Sequence, residues 1–314
     1  MDSDDSSLTF DILEIDTFLL QNKDTPYIKD KNKFLALPEV DLKNQNSNEN
    51  FPKYFTYLEF PSFTYVGQLS SQLQRGKYGY TKFENDDEFL GEEKNEKRDG
   101  FGIYKYSGTP EEYEIYIGEF SENKKNGVGI YLNILKCVET GKNKKLVNYD
   151  CGIGDFNDDT FTEGKIFSVK DGVETLYQGK LNELGVPKDD NGLVVEGGNK
   201  IFTGKIDDGE LVEGRNIFIG ENGEKKKAYY FTKTDDKDKP YNFDLTKNDD
   251  KDEATIEMIQ GCTVKKYQEQ IQNIFDKVNE SFEKYKNFDV AFKTKFEDEV
   301  KNVIKELVNK IKED

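Results

Sequence analysis

The chain has 314 residues, 34% of them hydrophobic and 34% charged, with a formal net charge of -18 and no histidine or tryptophan. That charge argues against a general nucleic-acid binder, which needs local positive surface for phosphate contacts, and works against flat docking on anionic lipid. Without histidine there are no Ser-His-Asp or Cys-His catalytic sets and no ordinary histidine-containing zinc sites.

Residues 1–50 are polar and acidic, with short apolar clusters at Leu8 to Leu20 and Phe34 to Leu37. Such a segment buries too little to fold alone, so a largely irregular N-terminal arm is expected, either free or ordered on a partner. The acidic start, Met1 to Ser7, suits neither a secretory signal nor a basic transit peptide, and no stretch reaches the ~18 to 20 apolar residues of a membrane helix. Phe55, Tyr57, Leu58 and Phe60, between Pro52 and Pro61, then read as an edge strand.

From Tyr65 one phrase recurs. Phe89-Leu90-Gly91-Glu92 leads to Asp99-Gly100-Phe101-Gly102-Ile103-Tyr104, and Tyr116-Ile117-Gly118-Glu119-Phe120 leads to Asn126-Gly127-Val128-Gly129-Ile130-Tyr131. Period-two alternation with glycines at fixed places predicts a β-hairpin for each unit. Tyr65-Val66-Gly67 with Gly79 and Tyr80 is an earlier copy, in which Lys77 replaces the first glycine of Gly-x-Gly. Later copies start at Gly154, Gly179 and Gly204. The leading glycines fall at 67, 91, 118, 154, 179 and 204, at intervals of 24, 27, 36, 25 and 25 residues, which makes six units. The longest interval holds a lysine-rich insertion, Gly141 to Lys145, read as a solvated hairpin tip. A lone hairpin cannot bury a face, so the units are expected to stack side by side.

These residues resemble MORN repeats, whose pattern runs roughly aromatic-x-Gly-Glu-aromatic, a polar tip, then Gly-x-Gly-x-Tyr. The resemblance covers about residues 65–231 and is most specific for the second and third units; Lys180 and Lys205 replace the glutamate in the fifth and sixth. It implies an elongated single-layer antiparallel sheet of stacked hairpins, which with the helical texture of residues 255–314 gives a mainly β fold with C-terminal α. Gly67, Gly79, Gly91, Gly100, Gly102, Gly118, Gly127, Gly129, Gly154, Gly179 and Gly204 would be its structural hairpin glycines. It also implies a platform whose contacts fall on Tyr65, Tyr80, Phe89, Tyr104, Tyr106, Tyr116 and Tyr131, unless those rings serve the stacking itself. MORN-repeat subunits of ciliary and flagellar assemblies, such as radial spoke heads, are the nearest in kind. A membrane-associated tether is the alternative the family allows.

The aromatic trio Tyr229, Tyr230 and Phe231 reads as a closing strand, so the repeat domain is placed at 51–231, followed by a charged linker at 232–254. Residues 255–314 have helical texture. Val264, Ile271, Val278, Tyr285 and Phe292 lie seven apart, joined by Phe275 and Phe282, and a second set includes Val300 and Leu307. A break is expected around Lys286 to Asp289. The apolar face, with Ile271, Phe275, Val278, Phe282, Val300 and Leu307, either packs on the chain's own sheet or docks on a partner. On the docking reading, the sheet folds without residues 255–314.

Little chemistry remains. Each Gly-x-Gly lacks the third glycine of a dinucleotide fingerprint. Asp155 to Asp159 begins like a calcium loop but has Thr160 and Ile166 where glycine and glutamate are required. Three scattered cysteines make no zinc site or disulfide framework. The expectation is a non-catalytic scaffold without metal or cofactor, in the cytoplasm or cytoskeleton. Its partners would be protein subunits of a large assembly such as an axoneme, with no nucleic acid and no homo-oligomer required.

Overall fold

The computed structural model describes residues 34–36, 52–70, 74–141, 143–220, 224–234, 240–244, 264–291 and 293–313. They form one 16-stranded antiparallel sheet in which every strand pairs with its neighbours in sequence. Two strands lead in, β1 (Phe34–Ala36) and β2 (Pro52–Glu59). The six units follow as pairs: β3 (Phe63–Ser70) with β4 (Arg75–Phe83), β5 (Glu88–Lys94) with β6 (Lys97–Lys105), and β7 (Tyr113–Ser121) with β8 (Lys124–Thr140). Next come β9 (Asn143–Asn157) with β10 (Thr160–Lys170), β11 (Val173–Lys180) with β12 (Asp189–Glu196), and β13 (Lys200–Asp207) with β14 (Glu210–Ile219). β15 (Lys225–Lys233) and β16 (Tyr241–Asp244) close the sheet.

Each leading glycine sits on the first strand of a pair, and the repeat is one hairpin per unit. The lysine-rich insertion lengthens β8 and β9 to 17 and 15 residues, so this hairpin projects beyond its neighbours as an arm. Two strands lie outside the repeat domain as read from sequence: β1 is in the stretch read as an irregular arm, and β16 is in the stretch read as linker. The apolar cluster at 8–20, the linker residues 245–254, Phe292 and Cys262 lie outside the described residues.

The units align through their glycines. Gly67, Gly79, Gly91, Gly102, Gly118, Gly129, Gly154, Gly164 and Gly179 are consecutive Cα partners across β3 to β11, and a second row joins Gly192, Gly204 and Gly214. Gly100 and Gly127 do something else. They have φ of 106° and 71° in the irregularity that follows each hairpin turn, where a Cβ would meet the carboxylates of Glu92 and Glu119. The turns Asn95-Glu96, Glu122-Asn123 and Asp158-Asp159 are left-handed at both residues, which matches the twist of tight hairpins. Adjacent tips are tied by a repeated contact: Arg98 N–H donates to Asn123 Oδ1 at 2.9 Å, and Lys125 N–H to Asp159 Oδ1 at 2.8 Å.

Among the described residues, helices lie on one face only. α1 (Val264–Lys286) crosses the strands from β10 toward β4, and the chain bends at Asn287 into α2 (Phe288–Ala291), at the predicted break. It then returns through a π-helical turn, Glu297–Lys301, into α3 (Asn302–Glu313), which ends near Lys165 of β10. Aromatic contacts mark the crossing: Tyr267 with Phe167, Phe275 with Tyr113, Phe282 with Tyr80, and Phe296 with Tyr78. The main core lies between these helices and the sheet. Among the described residues no helix is long and apolar enough to cross a membrane.

Candidate interaction surface

The other face, which carries no helix among the described residues, has an aromatic row beside the glycine row. Phe89, Tyr104, Tyr116 and Tyr131 are successive cross-strand partners, flanked by Thr81 and Gly152. The aromatic residue two positions before a leading glycine folds its ring over the glycines of its own hairpin. A Cβ on Gly79 would stand 2.3 Å from the Tyr65 ring, one on Gly102 2.5 Å from Phe89, and one on Gly214 2.7 Å from Phe202. Tyr65, Phe89 and Tyr116 are therefore fully buried, and they form the core of this face rather than its surface. Their hydroxyls, where present, donate back to the strand: Tyr65 to the Gln68 carbonyl at 2.6 Å and Tyr116 to that of Glu119 at 3.0 Å.

Tyr104, Tyr106 and Tyr131 remain half-buried around this core, with Phe83 and Phe161. Two cations are set among them. The Arg98 guanidinium lies 4.5 Å from the Tyr104 ring centre and 5.4 Å from that of Phe120. The Lys125 ammonium is 5.0 Å from Tyr131 and 5.6 Å from both Tyr106 and Tyr116. Burial lowers the Lys125 pKa, opposed by Asp159 and Glu114. Asp87 fixes the edge of the patch, accepting from the Tyr104 hydroxyl at 2.7 Å and from Ser107 N–H at 2.6 Å. Burial, then that bond to Asp87, raises the Tyr104 pKa, so the hydroxyl stays a donor. The patch can hold an extended apolar segment by ring contacts and offers alternating polar groups for register.

The other predicted contact residues lie on the helix side. Tyr80 packs edge-on against Phe282 and donates to Glu88 Oε1 at 2.7 Å. Glu88 also meets Lys286 of α1 at 3.1 Å and Lys105 at 3.5 Å. Burial pushes the Glu88 pKa up, but the Tyr80 hydroxyl and both lysines outweigh it and the net shift is downward. Ile271, Phe275, Val278, Phe282 and Val300 are buried against the sheet, and Leu307 packs at the margin of that core. The helical seam is satisfied within the chain, which corrects the docking alternative for these residues.

Sequence reading missed the use of the repeat glutamate. Glu92 faces the helices, accepts from Phe101 N–H and pairs with Lys301 at 3.0 Å; Glu119 pairs with Lys305 at 3.2 Å. Two lysines one helical turn apart, matched to glutamates in successive units, were the available signal. Among the described residues no group of acidic or cysteine side chains could hold a metal ion. Compared with known proteins, the chain matches no family model and no curated protein.

Proposed function

We propose that this protein is a non-catalytic scaffold of MORN-like repeats, a subunit of a large cytoskeletal assembly such as a ciliary axoneme complex. One observation carries the reading: among the described residues, the sheet spends one face on its own helices and leaves the other with half-buried Tyr104, Tyr106 and Tyr131 in a fixed row. A rigid, continuous sheet with such a row presents ring surface at low entropic cost, which is what a docking platform needs. A partner segment lies across β6 to β8, its side chains between the tyrosines and its charges set by Arg98 and Lys125.

The test is photo-cross-linking in the cell that makes the protein, with the reactive residue at Tyr131 or, as control, at exposed Lys94 on another strand. Cytoskeletal subunits captured from position 131 and not from position 94 support the scaffold. Membrane proteins captured there would move the tether reading ahead of it.

A further inference from the structure

A second surface, independent of the aromatic row, lies where the β8–β9 arm meets α1. The last pair between β9 and β10 is Tyr149 with Val169, whereas β8 pairs with β9 as far as Asn143. Between Asn143 and Asn148, β9 thus has β8 on one side and, among the described residues, no strand on the other; at its far end the Asn148 side chain exchanges hydrogen bonds with Asp171 of the β10–β11 turn, at 3.2 Å each. Such an edge presents alternate N–H and C=O groups that require partners.

A side chain takes one pair of them. Gln272 of α1 donates through Nε2 to the Lys144 carbonyl at 2.9 Å, while its Oε1 accepts from Leu146 N–H at 2.9 Å. These two backbone groups flank Lys145, and a neighbouring strand would engage the same pair through its own peptide groups. The amide of Gln272 therefore stands in for a peptide group, and Asp276 Oδ1 holds it there at 2.9 Å.

Beside this edge runs a groove of about 810 Å³, with Val138, Leu146 and Val169 on the sheet side and Gln268 and Asn273 on the helix side. Its strongest directional groups belong to a strand edge, which favours an extended chain over a compact small molecule. The charge is also local. In a chain of net charge -18, residues 135–146 contain four lysines and one glutamate; Lys144 and Lys145 line the groove on the strand side, with Glu269 and Asp276 on the helix side.

We propose that an acidic, extended strand of a partner protein adds to β9 between Asn143 and Asn148, displacing the Gln272 amide. Its backbone bonds the groups that Gln272 now caps, alternate apolar side chains enter the groove, and carboxylates on its outer side meet Lys145. The five steps from Asn143 to Asn148 give it roughly 17 Å of edge at ~3.3 Å per residue.

The probe is a fluorescein-labelled peptide of alternating glutamate and valine, seven residues long, titrated into the full chain and followed by anisotropy. Saturable binding is expected, weakened at least tenfold by N-methylation of alternate peptide bonds and by Lys145→Glu. Gln272→Ala should tighten binding about tenfold, because no amide must be displaced. Gln272→Glu serves if that variant misfolds, since a carboxylate cannot donate to the Lys144 carbonyl. No saturable binding, equal binding of the N-methylated peptide, or indifference to Gln272 would each overturn the proposal.

Discussion

The Tyr116 hydroxyl reaches past Gly118 to the carbonyl of Glu119, 3.0 Å away, while its ring is fully buried over Gly129. Tyr65 and Tyr177 make the same bond to Gln68 and Lys180. Phe89 occupies the same place in the second unit without a hydroxyl. The repeat thus supplies its own comparison. Tyr116→Phe should cost about 1 kcal/mol, the worth of one hydrogen bond, whereas Phe89→Tyr should be neutral or stabilising by up to about 1 kcal/mol. Urea denaturation of both variants checks the pair; a large loss in Phe89→Tyr would mean that the second hairpin is packed differently from the third.

Glycines in the row should differ from glycines merely near it. A Cβ on Gly102 would stand 2.5 Å from the Phe89 ring, while one on Gly152 would make ordinary contact, 3.5 Å from Phe161. Gly102→Ala is expected to destabilise by about 1 to 3 kcal/mol through overpacking, and Gly152→Ala to stay within about 0.5 kcal/mol of the natural chain. Thermal melts suffice, and equal losses would remove the explanation of the glycine row as ring seats.

How much of this was legible follows from those same residues. Glycine spacing at Gly67, Gly91, Gly118, Gly154, Gly179 and Gly204 exposes the units because only glycine leaves the room there, for an aromatic side chain at Gly67, Gly91, Gly118 and Gly179 and for the facing backbone at Gly154 and Gly204. Alternation separates Tyr80 from Tyr65 but carries no label for which face receives helices, since both faces are aromatic. For the same reason Tyr65, Phe89 and Tyr116 looked like contact residues: burial by a residue's own hairpin leaves no mark that distinguishes it from an exposed platform. The cap on β9 by Gln272 joins residues more than a hundred positions apart, and one glutamine on a polar helix face has no local signature.

Glu93 introduces a pH dependence. It is buried, its Oε1 lies 3.3 Å from Arg75, and its Oε2 has no hydrogen-bond partner. Burial pushes its pKa from 4.5 up to about 7, with Arg75 and Arg98 opposing and Glu96 adding to the rise. A raised acid pKa means the folded state holds the proton more tightly. Stability from this group is therefore lost as pH climbs from about 4.5 to about 7 and is level above that, a change of order 3 kcal/mol. Glu88 and Asp87, whose pKa values are lowered, act in the opposite direction. The difference between the natural chain and Glu93→Gln isolates the effect: the variant should gain relative stability between pH 5 and pH 8 in chemical denaturation. A constant difference across that range would place a charged Glu93 in the fold.

Removing the helices tests whether the sheet is a unit by itself. Leu90, Ile103 and Ile117 are fully buried on the helix side, against a layer that includes Phe275, Val278 and Ile304, also fully buried. Each such side chain contributes roughly 1.5 to 3 kcal/mol by leaving water, more in sum than a domain's net stability. A chain ending at residue 263 should therefore lose its β circular-dichroism signal and its cooperative melt, contrary to the docking reading of this segment. Lys301→Ala with Lys305→Ala, which cut the pairs to Glu92 and Glu119 together with the contacts of Lys301 to Glu297 and of Lys305 to the Phe101 ring, should keep the β signal and lower the midpoint modestly, because these contacts lie at the rim of that core. If the truncated chain instead melts cooperatively with its β signal intact, the glycine and aromatic rows alone hold the sheet, and the helices are an accessory that a partner could replace.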